Sequence, residues 1–251
     1  MTLPRPCNQS ERDASRHTAT HSGFARSLIR ELILTGGLGP GSRVLIAGCG
    51  DGELAERLIP FGVQVTGIDE ADDSVERAAN LVPEADFQAG PVPRSQFDRV
   101  TTQFDSAIVL YASPFRVSIQ QPSAKRVTAS LLNCLRPDGV FHFVATGPGG
   151  SLPHEPSCLA RHLNSFPGEV AVTAMADHRR AGAFMPQLVT FRLDGQARSA
   201  TEWDDFVSGL SSGEPCCRFC PGFLTNPSSG KMLPLNHYRH ILEAIMMQLQ
   251  S

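Results

Sequence analysis

Apolar positions along this chain follow two different periods, and the alternation between them predicts the fold. Over residues 23–34 they fall at Phe24, Leu28, Ile29, Leu32 and Ile33, the spacing of a helix with one buried face. GGLGPG, residues 36–41, stops that helix, and RVLIAG, residues 43–48, is a continuous apolar run closed by glycine. Such a run reads as a strand covered on both sides. A helix is expected from about Asp51 to Ile59, with Leu54, Ala55, Leu58 and Ile59 on one face and Pro60 and Gly62 as its stop. VQVTGID (63–69) predicts a second strand, and DDSVERAANLV (72–82) a helix with Asp73 and Glu76 placed for a capping box.

The same alternation continues. ADFQAG (85–90) and FDSAIVLYAS (104–113) predict strands three and four. A helix from about Ala124 to Leu135 carries Val127, Leu131 and Leu135 on one stripe, and RPDG turns it into a fifth strand, VFHFVAT (140–146). Strands alternating with helices imply a parallel sheet wrapped on both faces, and right-handed crossovers make it doubly wound. The pattern then changes: CLARHLNSF reads as a helix, whereas EVAVTAMA and QLVTFRL are strands with no helix between them. That predicts an antiparallel pair at the sheet edge. The expectation is an α/β fold: a mostly parallel, seven-stranded, doubly wound sheet with a terminal antiparallel pair and a C-terminal helical extension. The extension carries two helical patterns, TEWDDFVSGL with a capping signature at Thr201 and Asp204, and NHYRHILEAIMMQL. Three regions follow: a polar leader over 1–22, a core domain over 23–194, and an extension over 195–251 packed on the same domain.

Composition narrows the function. The 251 residues carry a net charge of −3, so no basic field points to nucleic acid. No segment approaches the roughly 18 apolar residues of a membrane span. The N-terminal residues lack the apolar stretch of a secretory signal, and seven cysteines are an odd number. Free thiols and a cytoplasmic location are therefore expected.

The chemistry concentrates where strand one meets its glycines. A strand that ends in glycine and opens a helix brings a ligand against bare main chain, with free N–H groups and a positive dipole end nearby. The dinucleotide fingerprint G-x-G-x-x-G/A would place a small residue at position 53, which is Glu53. The chain has Gly48-Cys49-Gly50-Asp51-Gly52 instead, a turn better suited to a ligand without phosphates. Asp69 ends strand two, 21 residues after Gly48. A carboxylate there is placed for the two hydroxyls of a ribose, or serves as a solvated loop acid or helix cap.

VLIAGCGDG, VTGIDEADDSVERA, FDSAIVLYA and LRPDGVFHFVAT, in this order and spacing, resemble the motifs of class I S-adenosylmethionine-dependent methyltransferases over about Gly23 to Leu193. The resemblance implies S-adenosylmethionine as cofactor and methyl transfer to a small-molecule acceptor. It implies Gly48, Cys49, Gly50, Gly52, Asp69, Glu70, Gln88, Ala89, Leu110 and Tyr111 as the cofactor cradle. Tyr111 and Ser113 after strand four, and His154 in the loop after strand five, are the catalytic candidates; Phe115 either faces the sulfonium or packs. His142 is expected as a half-buried strand residue, and His178 as a turn residue that can face substrate.

Two positions depart from the family. Ile46 stands where most members have an acid and reads as strand core, leaving the amino group of the cofactor to the Gly48 carbonyl or to His17 or His21. Gly90 and Pro91 stand where an acid commonly meets the adenine, leaving Gln88 or the backbone at Ala89 for that edge, with Asp86 four residues before Gly90. Two alternatives stay open: use of S-adenosylmethionine to cyclise its own aminobutyrate arm, releasing methylthioadenosine, and a silent cofactor-binding partner subunit. No metal is expected. Cys217-x-x-Cys220 has the spacing of half a zinc site, with Cys216 beside it and His237-x-x-His240 downstream, and reduced cysteines at a packing contact remain the expectation over zinc or arsenic. The expected partners are a small-molecule substrate and a second copy of the chain, with neither nucleic acid nor membrane.

Overall fold

The computed structural model describes residues 26–36, 38–91, 104–110, 115, 119, 122–145, 156–175, 187–210, 224–225 and 232–233. Seven strands form one sheet in the order β3-β2-β1-β4-β5-β7-β6. They are β1 (Arg43–Ala47), β2 (Gln64–Asp69), β3 (Asp86–Ala89), β4 (Phe104–Val109), β5 (Leu135–Ala145), β6 (Gly168–Ala174) and β7 (Gln187–Leu193). The first five run parallel, and β7 runs antiparallel to both β5 and β6. The expected doubly wound sheet with its antiparallel edge is therefore observed.

Helices cover both faces. On one lie α1 (residues 26–34), α2 (Glu53–Leu58), continued by a 3-10 turn (Ile59–Phe61), and α3 (Asp72–Leu81). On the other lie α4 (Pro122–Asn133), α5 (Pro156–Leu163) and α6 (Ala200–Gly209). Strand alternation divides the core accordingly. Val44, Ile46, Ile108 and Val144 pack with α1 and α2, whereas Leu45, Ala47, Phe141 and Phe143 pack with α4, α5 and α6. Trp203 and Val207 of α6 are buried in that second cluster.

Several local expectations change. Asp73 and Glu76 form no capping box: α3 starts at Asp72 behind Ala71, with no side-chain cap. Asp69 instead accepts the Ala71 N–H at 3.0 Å, while Asp72 and Asp73 sit in the first turn, where the helix dipole favours them. The capping box of α6 forms two residues earlier than Thr201 and Asp204 suggested. The Ser199 side chain accepts the Glu202 N–H at 3.2 Å, and the Glu202 carboxylate accepts the Ser199 N–H at 2.7 Å. The RPDG turn loops out inside β5: Phe104 pairs with Leu135 and Ser106 already with Val140. Arg136 there bridges Asp105 at 2.5 Å and Asp138 at 3.0 Å.

Three expected environments are also corrected. His142 is fully rather than half buried, because β5 is covered on both faces. Ile33 is 42 % exposed although it continues the apolar stripe of α1. Cys49 and Cys134 form no disulfide, whereas Cys158 is disulfide-bonded, against the free thiols expected for all seven cysteines. The extension also holds a short antiparallel pair, β8 (Leu224–Thr225) with β9 (Met232–Leu233), that no sequence signal announced. The second helical pattern, over 236–249, lies outside the described residues. No described helix is long and apolar enough to cross a membrane.

Candidate functional site

The glycine turn sits at the carboxyl end of β1, at the centre of the sheet, where β1 pairs with β2 on one side and β4 on the other. The order reverses at that point, and the crevice outside a parallel sheet opens there. Backbone hydrogen bonds hold the turn onto β2: Gly48 N–H and Cys49 N–H both donate to the Ile68 carbonyl, at 2.8 and 3.0 Å. On the other side Leu110 N–H donates to the Ala47 carbonyl at 2.9 Å, which brings the end of β4 against the turn.

Gly48, Gly50 and Gly52 all have positive φ, at 75°, 54° and 86°. Two of them serve different purposes. A Cβ on Gly50 would meet nothing within 4 Å, so this residue faces open space. A Cβ on Gly52 would stand 3.0 Å from the Ala78 Cβ, so its bareness lets α3 pack against the start of α2. Gly52 is thus a packing glycine, a role that spacing alone did not separate from ligand contact.

Asp69 is the second half of the site. One of its carboxylate oxygens accepts the Gly50 N–H at 2.8 Å, and the other accepts the Ala71 N–H at 3.0 Å. The carboxylate is half-buried and locked at the rim of the turn. Each oxygen has further lone-pair capacity, so two donors of a ligand diol can be taken without breaking these bonds. Cys49 lies buried beside it, and its thiol pKa is pushed up to about 12, first by burial and then by the charge on Asp69. It is a neutral packing group at any ordinary pH. Asp51 leaves the site altogether, pairing with Arg77 at 2.9 Å on the surface.

On the β3 side, Ala89 pairs in register with Asp69 and Gln88 with Ile68, and the Gly90 N–H donates to the Asp69 carbonyl at 2.7 Å. Gln88 gives its Nε2 to Asp86 at 3.0 Å, while its Oε1 is buried with no partner among the described residues. Glu70 is exposed just beyond Asp69. Ile46 is fully buried, beside Gly67 and Ile108 in the ladder, and so has the strand-core role expected of it.

Phe115 does not face the crevice: it is fully buried, edge-on to Phe143 at 4.9 Å. His142 is neutral, its pKa pushed down to about 3 by burial and then by Arg192, and its Nδ1 lies 3.2 Å from the Thr190 hydroxyl. Tyr111, Ser113, His154, His178, His17, His21 and the cysteines at 216, 217 and 220 lie outside the described residues. Among the described residues no cluster of three or more metal-ligating side chains exists.

Residues 44–139, from the first buried position of β1 to the loop inside β5, match the family described as "Methyltransferase domain". The matched stretch is less than half of the 251 residues, and it contains the glycine turn and Asp69. Two curated relatives that this chain resembles are a sterol 24-C-methyltransferase of Schizosaccharomyces pombe and an S-adenosyl-L-methionine-dependent Diels-Alderase of Talaromyces variabilis. The first is 29% identical over 122 residues, covering 47% of this chain and 32% of the relative. The second is 30% identical over 110 residues, covering 41% and 36% respectively. The match thus spans about a third of the length of these relatives. The fold agrees with the magnesium protoporphyrin IX methyltransferase of Synechocystis PCC 6803, solved with bound S-adenosylmethionine. The TM-score is 0.53 at 17% identity, covering 76% of this chain and 87% of that one. It agrees equally with the N-methyltransferase NodS of Bradyrhizobium japonicum WM9, solved with S-adenosylhomocysteine: TM-score 0.53, 17% identity, 68% and 86% covered.

Proposed function

We propose that this chain binds S-adenosylmethionine across the β1–β2 turn and transfers its methyl group to a small-molecule nucleophile. The observation that carries the reading is the Asp69 carboxylate, fixed by the Gly50 and Ala71 N–H groups beside the open face of Gly50. Asp69 accepts from the ribose hydroxyls. The unpartnered Oε1 of Gln88 and the backbone at Ala89 take the adenine edge, with Glu70 at the rim and Leu110 as an apolar wall. Gly48 and Cys49 bring the main chain against the methionine portion. No acid at position 46 meets the amino group, so the Gly48 carbonyl is its acceptor in this chain.

When bound, the cofactor supplies an electrophilic methyl carbon on a sulfonium. The protein's task is then to hold the acceptor in line and, for an oxygen or amine acceptor, to remove a proton. Tyr111, Ser113 and His154 are the residues we assign to that task, on their positions after β4 and β5. The charge and composition favour a metabolite over nucleic acid as acceptor. Residues 23–194 form the cofactor-binding unit behind a leader over 1–22, and 195–251 an extension on the same body. The burial of Trp203 and Val207 against the sheet supports that division. A second copy of the chain is the candidate partner.

Incubation with S-adenosylmethionine, with and without a panel of metabolites, followed by mass spectrometry tests the reading. S-adenosylhomocysteine formed only with an added acceptor supports transfer. Methylthioadenosine formed without one replaces transfer by cyclisation of the cofactor. Calorimetric binding with no product under any condition makes the chain a silent cofactor-binding subunit, and absence of binding removes the reading altogether.

A further inference from the structure

A second cavity lies away from the glycine turn. It is a groove of about 700 Å³ between α1 and the far end of α2. That volume falls in the range of small-molecule sites. Its α1 wall changes character along its length: Arg26 and Arg30 flank the buried Ile29, and Ile33 and Leu34 follow with no further charge. The opposite wall changes in the same sense, from Arg57 to Pro60 and Phe61. Both walls run toward the same end of the sheet, because α1 and the 3-10 turn lead into the starts of β1 and β2, where the Gly41 N–H donates to the Gly62 carbonyl at 2.8 Å. The groove therefore has a cationic end and an apolar end.

Each end lacks something. At the apolar end Ile33, Leu34 and Phe61 are 42 %, 67 % and 46 % exposed, a cluster of large apolar side chains in water. At the cationic end three guanidiniums face one lining carboxylate, Glu56. Arg30 meets its neighbour Glu31 only at 3.9 Å, and Arg57 Nε is buried with no hydrogen-bond partner among the described residues. A guanidinium lining a groove offers a planar fork of N–H donors to a carboxylate, and Arg26, Arg30 and Arg57 all line this one.

We propose that the groove between α1 and α2 binds a single-chain anionic amphiphile of the fatty-acid class, its carboxylate at Arg30 and Arg57 and its chain along Ile33, Leu34 and Phe61. One charged end and one apolar end match a ligand with one head and one tail. An amphipathic peptide would need its charges spread along both walls. The site is separate from the cofactor turn, which lies at the opposite end of α2, and does not depend on the function proposed for it.

The test uses the full chain and dodecanoate below its aggregation concentration, followed by calorimetry, with dodecyltrimethylammonium as the same tail on a cation. Saturable one-site binding of dodecanoate is expected, with at least tenfold weaker binding of the cationic amphiphile. Arg30→Glu and Leu34→Asp change exposed side chains and leave folding intact; each is expected to weaken dodecanoate at least tenfold, and Arg57→Gln to do so as well. Equal binding of both amphiphiles, no binding, or unchanged affinity in Arg30→Glu and Leu34→Asp overturns the proposal. So does flotation of the chain with phosphatidylglycerol vesicles that Leu34→Asp abolishes, which would make the groove a membrane contact. A dimer that Phe61→Asp dissociates would make it a contact between copies and overturns the proposal equally.

Discussion

The two faces of the sheet are built from different side chains. The face under α4, α5 and α6 is aromatic and closed: Phe115, Phe141, Phe143 and Phe191 are fully buried, and Phe143 meets Phe115 and Phe141 edge-on at 4.9 and 4.8 Å. The face under α1, α2 and α3 is aliphatic and broken. It holds Ile46, Ile108 and Val144, the neutral thiol of Cys49, the bare Gly67 on which Phe87 rests, and a groove at its outer edge. One strand serves both, since β5 sends Phe141 and Phe143 to the first face and His142 and Val144 to the second. The difference separates two tasks: rings interlocked on one side hold the sheet, while small and aliphatic groups on the other leave room at its rim.

The largest effect should come from breaking the closed face. Phe143→Ala is expected to cost about 3–5 kcal/mol, the range for removing a buried phenylalanine, in denaturant midpoints. Because Phe143 points away from the glycine turn, affinity for S-adenosylhomocysteine in the folded fraction should be unchanged. Ile46→Asp is the next test, since it introduces the acid common at this position in class I methyltransferases, which the glycine-turn motif resembles. Here that side chain would enter a fully buried position beside Gly67 and Ile108, losing aliphatic volume and leaving a carboxyl without a partner. A loss of about 3 kcal/mol is expected, with no gain in cofactor affinity. Tighter binding at undiminished stability would mean that the α1–α2 face has a polar opening at this level and would undo the contrast between the faces.

The contrast between the faces also marks what the sequence could convey. Strands covered on both sides are nearly continuous apolar runs, so β1, β4 and β5 were legible, and so was the pairing of a glycine turn with Asp69, which closes the more polar β2, at a fixed distance. What escaped depends on neighbours distant in the chain. Ile33 continues the stripe of Leu28, Ile29 and Leu32, but periodicity does not say where the covering sheet ends, and Ile33 stands in the groove. Phe115 read equally well as a ring over the cofactor, and Phe143 decides otherwise. Gly52 owes its bareness to Ala78, 26 residues on and brought close only by the packing of α3. Several acids compete to cap α3, and tertiary placement gives the Ala71 N–H to Asp69.

On the open face, Asp69→Ala should weaken S-adenosylmethionine binding by about 1.5–3 kcal/mol, the worth of hydrogen bonds to a charged group. Asp69→Asn is the sharper variant, because it retains an acceptor toward Gly50 or Ala71 but lacks the charge. Calorimetry that finds Asp69→Ala as tight as the parent would remove the ribose from this carboxylate.

The smallest effect lies where the two faces meet in β5. His142 is fully buried and its folded pKa is about 3, against 6.5 for an ordinary histidine, because burial and then Arg192 disfavour its cation. The sign follows from proton counting. Below pH 6.5 the unfolded chain takes up a proton at this residue that the folded chain refuses until near pH 3. Stability from this group is therefore complete above 6.5 and drains away as pH falls, at no more than about 1.4 kcal/mol per pH unit. His142→Gln, which can keep a hydrogen bond to Thr190 without a titrating ring, should be less stable at pH 7.5 but lose less between pH 6.5 and 5 than the parent. Chemical denaturation across that window reads the difference between the two slopes, and parallel curves would show that the His142 ring takes up its proton inside the folded sheet.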